Sequence, residues 1–562
     1  MYRQGPPRLW VALFMEETMF GKAVVVILYF LIILWVGLYS RRYSKNNSED
    51  FFLGGRTLGP ILLFFTMAAT NFSAFTIFGF SGAGYRIGYA FYPIMAFGTG
   101  FMAISFSFIG KRVYELGREK GYITPSELIG QTYQSRTLQL LVFVVMVIFT
   151  LPYIAMQPIS AGYTLESLLG IPYFIGGVLV MVIVVLYVFL GGFRGVVWTD
   201  LVQGGMMILL MAFAVFLVAA PHGGFIQANT LVLQRLPELY SRPGAHNAFP
   251  VGIWFSYMLL WLLCDPMFPQ IFQRFFAAKN PKALDRTMLA YPVITGVLFL
   301  FPVAIGVIGH LSLPGLSEKE ADKVLPLLLQ KHADNWLGAL IMTAGLAALM
   351  STLDSQLLTL SSMFTRDVFS SSKNGAKQLW VGKLFVLTIA AAGLVIAYRP
   401  PSTLLRIATE TFTGLAVLFP TVIGGLYWRS ATSLAGILSI LGGEGMVAGY
   451  MFGVLPTFGF LPVIPVLAVT SLIFIVCSLI QSPLPLRTHF FWLNPRKNKK
   501  GWRNGAIPCT VFVILFLLGI DVWAWGSRTP LILGLPWWVW YFCGLNALLI
   551  VAMNYFLTEK KP

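Results

Sequence analysis

The residues best suited to chemistry are hydroxyl and carboxyl side chains near the middle of an apolar run at about 337–364. Ala348, Ser351, Thr352 and Ser355 are spaced i, i+3, i+4 and i+7, so they share one face of a helix. That face can direct two hydroxyl oxygens and a backbone carbonyl at one point, which suits a small hard cation. In the alternative interpretation, the hydroxyls bond to carbonyls one turn earlier and let neighbouring helices approach.

Asp354 makes this run unusual. An aspartate at the centre of a bilayer costs roughly 2.5–3.5 kcal/mol on insertion scales, so an intramembrane carboxyl is a functional candidate by default. Because Asp354 and Ser355 lie one turn beyond Ser351, the pattern favours an ion site over simple helix packing.

Three further runs carry polar groups near or within the predicted membrane. The segment 68–74 (AATNFSA) is followed by repeated glycines, which is typical of a helix that unwinds and exposes its carbonyl groups. Asp265 lies beside Pro266 and Pro269, which remove backbone donors and break the helix. Asp200 falls within about two turns of a predicted boundary, where an interfacial aspartate would also be ordinary.

Composition places the chain in a lipid bilayer. Hydrophobic residues make up 57% and charged residues 11%, and we count about fifteen apolar runs long enough to span it. We therefore predict an all-α polytopic membrane protein. The net charge of +17 does not indicate nucleic-acid binding, because Lys and Arg cluster in alternate loops, as they do on a cytoplasmic face. The five histidines are scattered, which argues against a membrane-embedded enzyme.

The same loops predict an orientation with the N-terminus outside and the C-terminus in the cytoplasm. They also predict a multi-pass protein of the cell membrane.

Several segments, in their order along the chain, resemble the sodium/solute symporter family. Its members include sodium-coupled proline, pantothenate, monocarboxylate, sialic acid and sugar transporters. The matching segments are 51–56 (FFLGGR), 69–74 (ATNFSA), 191–193 with 197–200 (GGF, VWTD), 273–279 (QRFFAAK) and 347–367. The resemblance implies a LeuT-type core, in which two five-helix repeats cross the membrane in opposite directions.

On this basis we expect four parts in the chain. They are an extra N-terminal transmembrane helix (1–45), the transport core (46–430, with repeats at about 57–219 and 250–428), two further helices (431–480), and a basic cytoplasmic loop with two extra C-terminal helices (481–562).

The resemblance also assigns candidate site residues. The family's shared sodium site falls on backbone carbonyls of the first core helix and on carbonyl and hydroxyl groups of the eighth, at Ala69, Phe72, Ala348, Ser351 and Thr352. Some members hold a second sodium, and the matching positions are Ser351 with Asp200, Asp354 and Ser355. Asp200, Asp354 and Ser355 would otherwise line the path by which sodium leaves.

Substrate groups in the family come from core helices one, three and six, which here implies Thr76, Tyr153, Gln157, Trp261 and Asp265. The position of Asp265 looks like a tyrosine in the proline symporters. A carboxylate there would either pair with a substrate ammonium or carry a proton.

The resemblance thus implies a secondary active symporter that imports a small organic solute with sodium as coupling ion, by alternating access. The expected solute is an amino acid such as proline, or a monocarboxylate. Two alternatives stay open. One is a proton-coupled transporter of the same fold that uses Asp265 or Asp354, and the other is a solute sensor that does not transport.

Overall fold

The protein is described by a computed structural model that covers residues 8–43, 48–369, 375–481 and 501–558. The basic loop predicted between residues 481 and 501 lies largely outside the described residues. The helices are, in chain order, α1 (Arg8–Tyr39), α2 (Ser48–Leu53), α3 (Pro60–Asn71), α4 (Phe80–Ile87), α5 (Phe91–Met102), α6 (Lys111–Lys120), α7 (Pro125–Thr132), α8 (Arg136–Leu169), α9 (Tyr173–Ala219), α10 (Phe225–Arg235), α11 (Val251–Cys264), α12 (Pro269–Ala277), α13 (Pro281–Leu298), α14 (Leu300–Gly309), α15 (Val324–His332), α16 (Asn335–Met363), α17 (Gly375–Tyr398), α18 (Leu404–Ala416), α19 (Phe419–Tyr427), α20 (Ser433–Met451), α21 (Val463–Gln481), α22 (Gly501–Leu518) and α23 (Trp537–Phe556). Two short strands, β1 (Leu531–Ile532) and β2 (Leu535–Pro536), pair antiparallel between the last two helices.

The number of membrane spans agrees with the prediction. Among the described residues, 12 helices are long and apolar enough to cross a membrane, and two bent helix pairs raise the number to 14. One of the 12 is a continuous stretch of 50 residues, Tyr173–His222, although a span needs only about 20. It kinks at Gly192, whose φ of 56° is open mainly to glycine, so this stretch forms two spans. The total is then about fifteen, and the all-α polytopic class is confirmed.

Two broken helices occupy equivalent places in the chain. The first break separates α3 from the helical turn that leads into α4, with a bend of 61°. The second separates the end of α11 from α12, with a bend of 52°, at the predicted Asp265–Pro269 segment. Four spans lie between the two broken spans, so the breaks are five spans apart, as expected when each begins one of two related repeats. The residue limits of the four predicted parts stay a prediction.

The short helix α7 begins with a reciprocal capping arrangement. Thr124 accepts a hydrogen bond from the Glu127 amide (3.1 Å) through its side chain, and Glu127 accepts one from the Ile123 amide (3.0 Å). This reciprocal capping starts α7 with Pro125 at its first position. The end of the long α16 helix contacts α7 through a hydrogen-bonded ion pair between Arg366 and Glu127 (2.6 Å).

The two C-terminal spans and the strands between them form a C-terminal hairpin that packs on the core. Its helices contact α5, α11 and α13 through aromatic rings and through glycines at close range. Trp254 in α11 donates its indole N–H to the Gly519 carbonyl at 3.0 Å. At the far end of α23, Lys111 donates to the Leu557 carbonyl at 2.9 Å.

A buried ion pair fixes the end of this hairpin at which α22 and α23 are joined. Arg242, in the loop before α11, donates both to the carboxylate of Asp521 and to the Ala524 carbonyl (3.2 Å). Neither charged side chain is exposed, and the guanidinium lies 4.6 Å from the ring centroid of Trp538. The hairpin is therefore joined to the core by charge as well as by apolar packing.

Replacing Asp521 with Ala is expected to lower the thermal stability of the full chain. The change leaves the Arg242 guanidinium buried without its counter-charge, which typically costs about 3–5 kcal/mol. Melting in detergent, followed by tryptophan fluorescence, measures the effect.

Asp334→Ala is the matched control, because Asp334 is an exposed aspartate whose side chain does not cap a helix. Equal melting temperatures for the Asp521 and Asp334 variants would contradict the importance of the ion pair.

Candidate functional site

The first candidate site lies where α3 unwinds against the middle of α16. Ser351 donates its hydroxyl hydrogen bond to the Ala69 carbonyl at 2.9 Å, and Thr352 donates to the Thr70 carbonyl at 3.0 Å. Both hydroxyls also lie within hydrogen-bond distance of the Ala348 carbonyl, at 3.1 and 3.2 Å. Five buried oxygen atoms from two helices thus converge on one place, which we call the oxygen cluster.

The break in α3 explains why carbonyls are available there. After Asn71 the helix ends, and Phe72 has non-helical angles (φ −85°, ψ 89°). The carbonyls of Ala69 and Thr70 fall in the last turn of α3, where a helix lacks internal donors. The Phe72 ring packs against Phe299 (5.1 Å between centroids), and its predicted role as a carbonyl ligand stays a prediction. The carbonyl that Thr352 contacts belongs to Thr70, which the sequence analysis did not name.

A second polar cluster lies next to the oxygen cluster, further along α16. Asp200 in α9 is fully buried and forms an ion pair with Arg274 of α12 at 3.1 Å. Arg274 also donates to the Ser355 hydroxyl at 2.6 Å and to the Thr66 hydroxyl at 2.9 Å. Asp200 is therefore not an interfacial residue. The guanidinium lies between two of the groups predicted to hold a second sodium.

Asp354 is satisfied by neutral donors. Tyr187 of α9 donates to one carboxylate oxygen at 2.7 Å, and Ser355 donates to the other at 3.0 Å. The Ser355 hydroxyl also lies 2.9 Å from the Thr70 hydroxyl, so the two polar clusters share a hydrogen-bonded chain. Asp354 thus links α16 to α9 within the scaffold of the site.

Four of the five predicted substrate residues line one small cavity between the two helix breaks. They are Thr76, Tyr153, Trp261 and Asp265, and the cavity encloses about 20 Å³, which is room for about one water molecule. Gln157 does not line it. Its amide oxygen accepts a hydrogen bond from the Ala74 amide at 3.1 Å, so it caps the half-helix that follows the first break. The remaining lining residues are Asn71, Phe75, Phe80, Met95, Thr99, Phe268, Phe299 and Phe412.

Asn71 joins the two breaks directly. Its side-chain amide donates to Tyr291 at 2.6 Å and to the Asp265 carboxylate at 3.3 Å. Because Asn71 follows Thr70 in the chain, the oxygen cluster and the cavity are built on the same unwound segment. The two sites are one residue apart in the chain, so a conformational change at one is expected to affect the other.

Hydrogen bonds join the segments next to the two helix breaks to other parts of the chain. Arg86 of α4 pairs with Asp322 at 2.9 Å, and Asp322 also accepts from the Leu404 amide at 3.0 Å. The Leu58 amide, before α3, donates to the Ala277 carbonyl of α12 at 3.2 Å. Burial raises the pKa of Asp322, while Arg86 acts in the opposite direction. A lower pH therefore favours protonated Asp322, and the loss of its negative charge weakens the contact with Arg86.

Comparison with known proteins identifies the family. The model of the "Sodium:solute symporter family" matches residues 51–443, which is most of the chain. The chain belongs to the sodium:solute symporter family.

Curated relatives agree with this assignment. A sodium/pantothenate symporter of Escherichia coli strain K12 is 26% identical over 485 residues, which cover 82% of this chain and 97% of the relative. A sodium/proline symporter of Staphylococcus aureus is also 26% identical, over 82% of this chain and 93% of the relative. This family member is similar to transporters and not to enzymes.

Solved structures show the fold. A sodium-coupled sialic acid symporter in an outward-open state superposes with a TM-score of 0.71 at 18% identity, covering 83% of this chain and 99% of that one. Mhp1, a nucleobase-cation-symport transporter, gives 0.53 at 13% identity, covering 78% and 96%. The predicted LeuT-type fold of this family member is confirmed.

Two residues of the site, Arg274 and Asn71, were not assigned to it from the sequence. Arg274 was counted among the charges of a cytoplasmic loop, yet its side chain is fully buried in α12. Its position in the QRFFAAK segment was a signal, since that segment lies directly beyond the second break. Asn71 lies inside the quoted ATNFSA segment, but only its neighbours were assigned roles.

A double-mutant cycle at Asp200 and Arg274 is expected to show strong coupling. Asp200→Ala or Arg274→Met alone should each cost about 3–5 kcal/mol, because each leaves the other charge buried and unpaired. The double variant should be more stable than the sum of the single losses predicts. Thermal melting of the three variants in detergent measures this coupling.

Asp334→Ala is again the control, because the Asp334 side chain is exposed and does not cap a helix. Additive losses at Asp200 and Arg274 would show that the pair contributes no coupling.

Proposed function

We propose that this chain is a sodium-coupled secondary active symporter that imports a small organic solute across the cell membrane by alternating access. The observation that carries the proposal is the oxygen cluster, in which Ser351 and Thr352 reach the carbonyls of the unwound α3 segment. Family membership and the sodium symporters among the relatives support it.

Sodium would bind where the hydroxyls now bond to carbonyls. When the hydroxyl protons of Ser351 and Thr352 turn away, their oxygen lone pairs and the carbonyls of Ala69 and Ala348 face one point. Hard oxygen ligands without a net charge suit a monovalent cation that must also leave again. Phe72 is the fifth proposed ligand.

Ion and solute are coupled through the unwound segment. Sodium holds residues 69–70 against α16, and residue 71 contacts Asp265 at the solute cavity. An ion that orders this segment therefore strengthens solute binding, and the solute strengthens ion binding by the same factor. Opening the contacts at Asp322 would admit sodium and solute. Opening the contact at Leu58 would release them on the other side of the membrane.

The energy is sufficient for accumulation. One positive charge crossing 100 mV releases about 2.3 kcal/mol, and a tenfold sodium gradient adds about 1.4 kcal/mol. The total of about 3.7 kcal/mol supports a solute gradient of several hundredfold for each sodium.

The number of sodium ions is proposed to be one. A second ion at Asp200, Asp354 and Ser355 would have to displace the Arg274 guanidinium, which already contacts Asp200 and Ser355. These residues fit better as part of the exit path, where Asp200 would attract sodium only after Arg274 moves. The N-terminus is proposed to lie outside and the C-terminus in the cytoplasm.

Thr352→Ala is expected to raise the sodium concentration that half-stabilises the purified protein by roughly tenfold or more, which corresponds to about 1.4 kcal/mol. The measurement is thermal stability titrated with NaCl against KCl at constant ionic strength. Thr343→Ala is the control, because the Thr343 hydroxyl bonds only within α16, to the Leu340 carbonyl. A half-saturation value unchanged by Thr352→Ala would count decisively against the oxygen cluster as the ion site.

The same titration distinguishes sodium from proton coupling. Sodium coupling predicts stabilisation in NaCl but not KCl, with a Hill coefficient of about one, since the site is expected to hold one ion. A proton-coupled transporter would instead respond equally to both salts and shift with pH through Asp265 or Asp354. A sensor would bind solute in sodium but give no uptake into proteoliposomes.

A further inference from the structure

The solute cavity contains a carboxylate without a cationic partner. Asp265 is 2% exposed and is held by two weak neutral contacts, the Asn71 amide at 3.3 Å and the Cys264 thiol at 3.4 Å. Among the described residues that line the cavity, none is Lys, Arg or His. A buried carboxylate needs a positive charge or a proton, and a positively charged solute would supply the former.

The cavity walls are suited to a cation as well. Phe412 lies at the centre of an aromatic group, with centroid distances of 4.7 Å to Phe268, 5.0 Å to Tyr153 and 5.3 Å to Trp261. The negative faces of such rings attract ammonium groups, most strongly where water is excluded. Aromatic rings and one carboxylate together form a site for an organic cation.

Some of the groups that would bind an anion are already used or absent. In helices broken at mid-membrane, free amides at half-helix N-termini commonly hold a substrate carboxylate. Here the Ala74 amide is bonded to Gln157 (3.1 Å), and the Phe75 amide is bonded to the Ser73 hydroxyl (3.2 Å). At the second break, Pro266 and Pro269 have no amide hydrogen.

One buried donor is still available for the solute. The indole N–H of Trp261 has no hydrogen-bond partner among the described residues. It would donate to a hydroxyl or carbonyl oxygen of a solute whose positive end faces Asp265. Neutral donors such as this indole N–H and the hydroxyls of the cavity lining do not supply the positive charge that would balance a free carboxylate.

We infer that the solute is a small organic ammonium compound, recognised by Asp265 and the aromatic group around Phe412, and not a monocarboxylate. This inference rests on the proposed function, because it concerns the cavity that is coupled to the oxygen cluster. The charge and the lining of that cavity indicate the chemical class of the solute.

The test compares ammonium probes with neutral molecules of the same shape. Choline is paired with 3,3-dimethylbutan-1-ol, and ethanolamine with propan-1-ol, while acetate and propionate represent the anions. Each is added in NaCl to the purified full-length protein, and the thermal shift gives the half-saturating concentration. At least one ammonium probe should bind tenfold or more tightly than its neutral counterpart and than either anion.

Two variants separate the contributions. Asp265→Asn should weaken ammonium binding by at least tenfold, whereas Phe412→Leu should weaken it by roughly fivefold through loss of the ring face. Glu444→Gln is the control, because it removes a carboxyl from the span α20 that does not line the cavity, and it should leave binding unchanged.

Three results would overturn the inference: neither ammonium probe exceeding its neutral counterpart, an anion binding more tightly than both, or Asp265→Asn leaving ammonium binding unaltered. Stabilisation by sodium alone is measured in the same samples. If sodium still stabilises the protein and Thr352→Ala removes that effect, only the solute class fails and the proposed symport stands.

Discussion

The structure depends on how buried charge is neutralised inside a low-dielectric membrane core. Arg274 meets Asp200 at 3.1 Å, and Arg242 meets Asp521 at the end of the C-terminal hairpin where α22 and α23 are joined. Each pair joins elements distant in sequence, because a buried charge without its partner would be strongly destabilising. Asp265 differs from these pairs, since its contacts are neutral, and we propose that the positive charge of an incoming solute neutralises it.

The two helix breaks give this arrangement its geometry. Carbonyls freed by the end of α3 face the hydroxyls of α16, and the next residue along the chain contacts the second break. An intact helix would keep those carbonyls in its own hydrogen bonds and would hold no ion. In the proposed function, ion binding and solute binding therefore lie on one segment, so each is expected to affect the other.

Much of this was predictable from residue types and spacing. The apolar runs predicted the number of spans, because a bilayer demands about 20 apolar residues for each crossing. The spacing of Ser351 and Thr352 predicted that they share a face, and the structure adds that both still bond back to Ala348, as the packing interpretation also expects. The ion-site and the helix-packing interpretations therefore concern the same two hydroxyl groups, and the observed hydrogen bonds agree with both.

The partners across helices were not predictable, because no local pattern states which helix lies opposite. Arg274 is the main example, since a basic residue after an apolar run normally marks a loop. Gln157 is another. The family resemblance suggested contact with solute, but its amide oxygen instead caps the half-helix at Ala74. In both cases the partner of the side chain was not predicted.

The Arg242–Asp521 pair also has a consequence for the order in which the protein is made. The two residues are 279 positions apart, so Arg242 is synthesised long before its counter-charge. Until the hairpin is inserted, α5, α11 and α13 present to lipid the surface that α22 and α23 later cover. During synthesis the Arg242 guanidinium therefore has no Asp521 counter-charge until the C-terminal hairpin has been made.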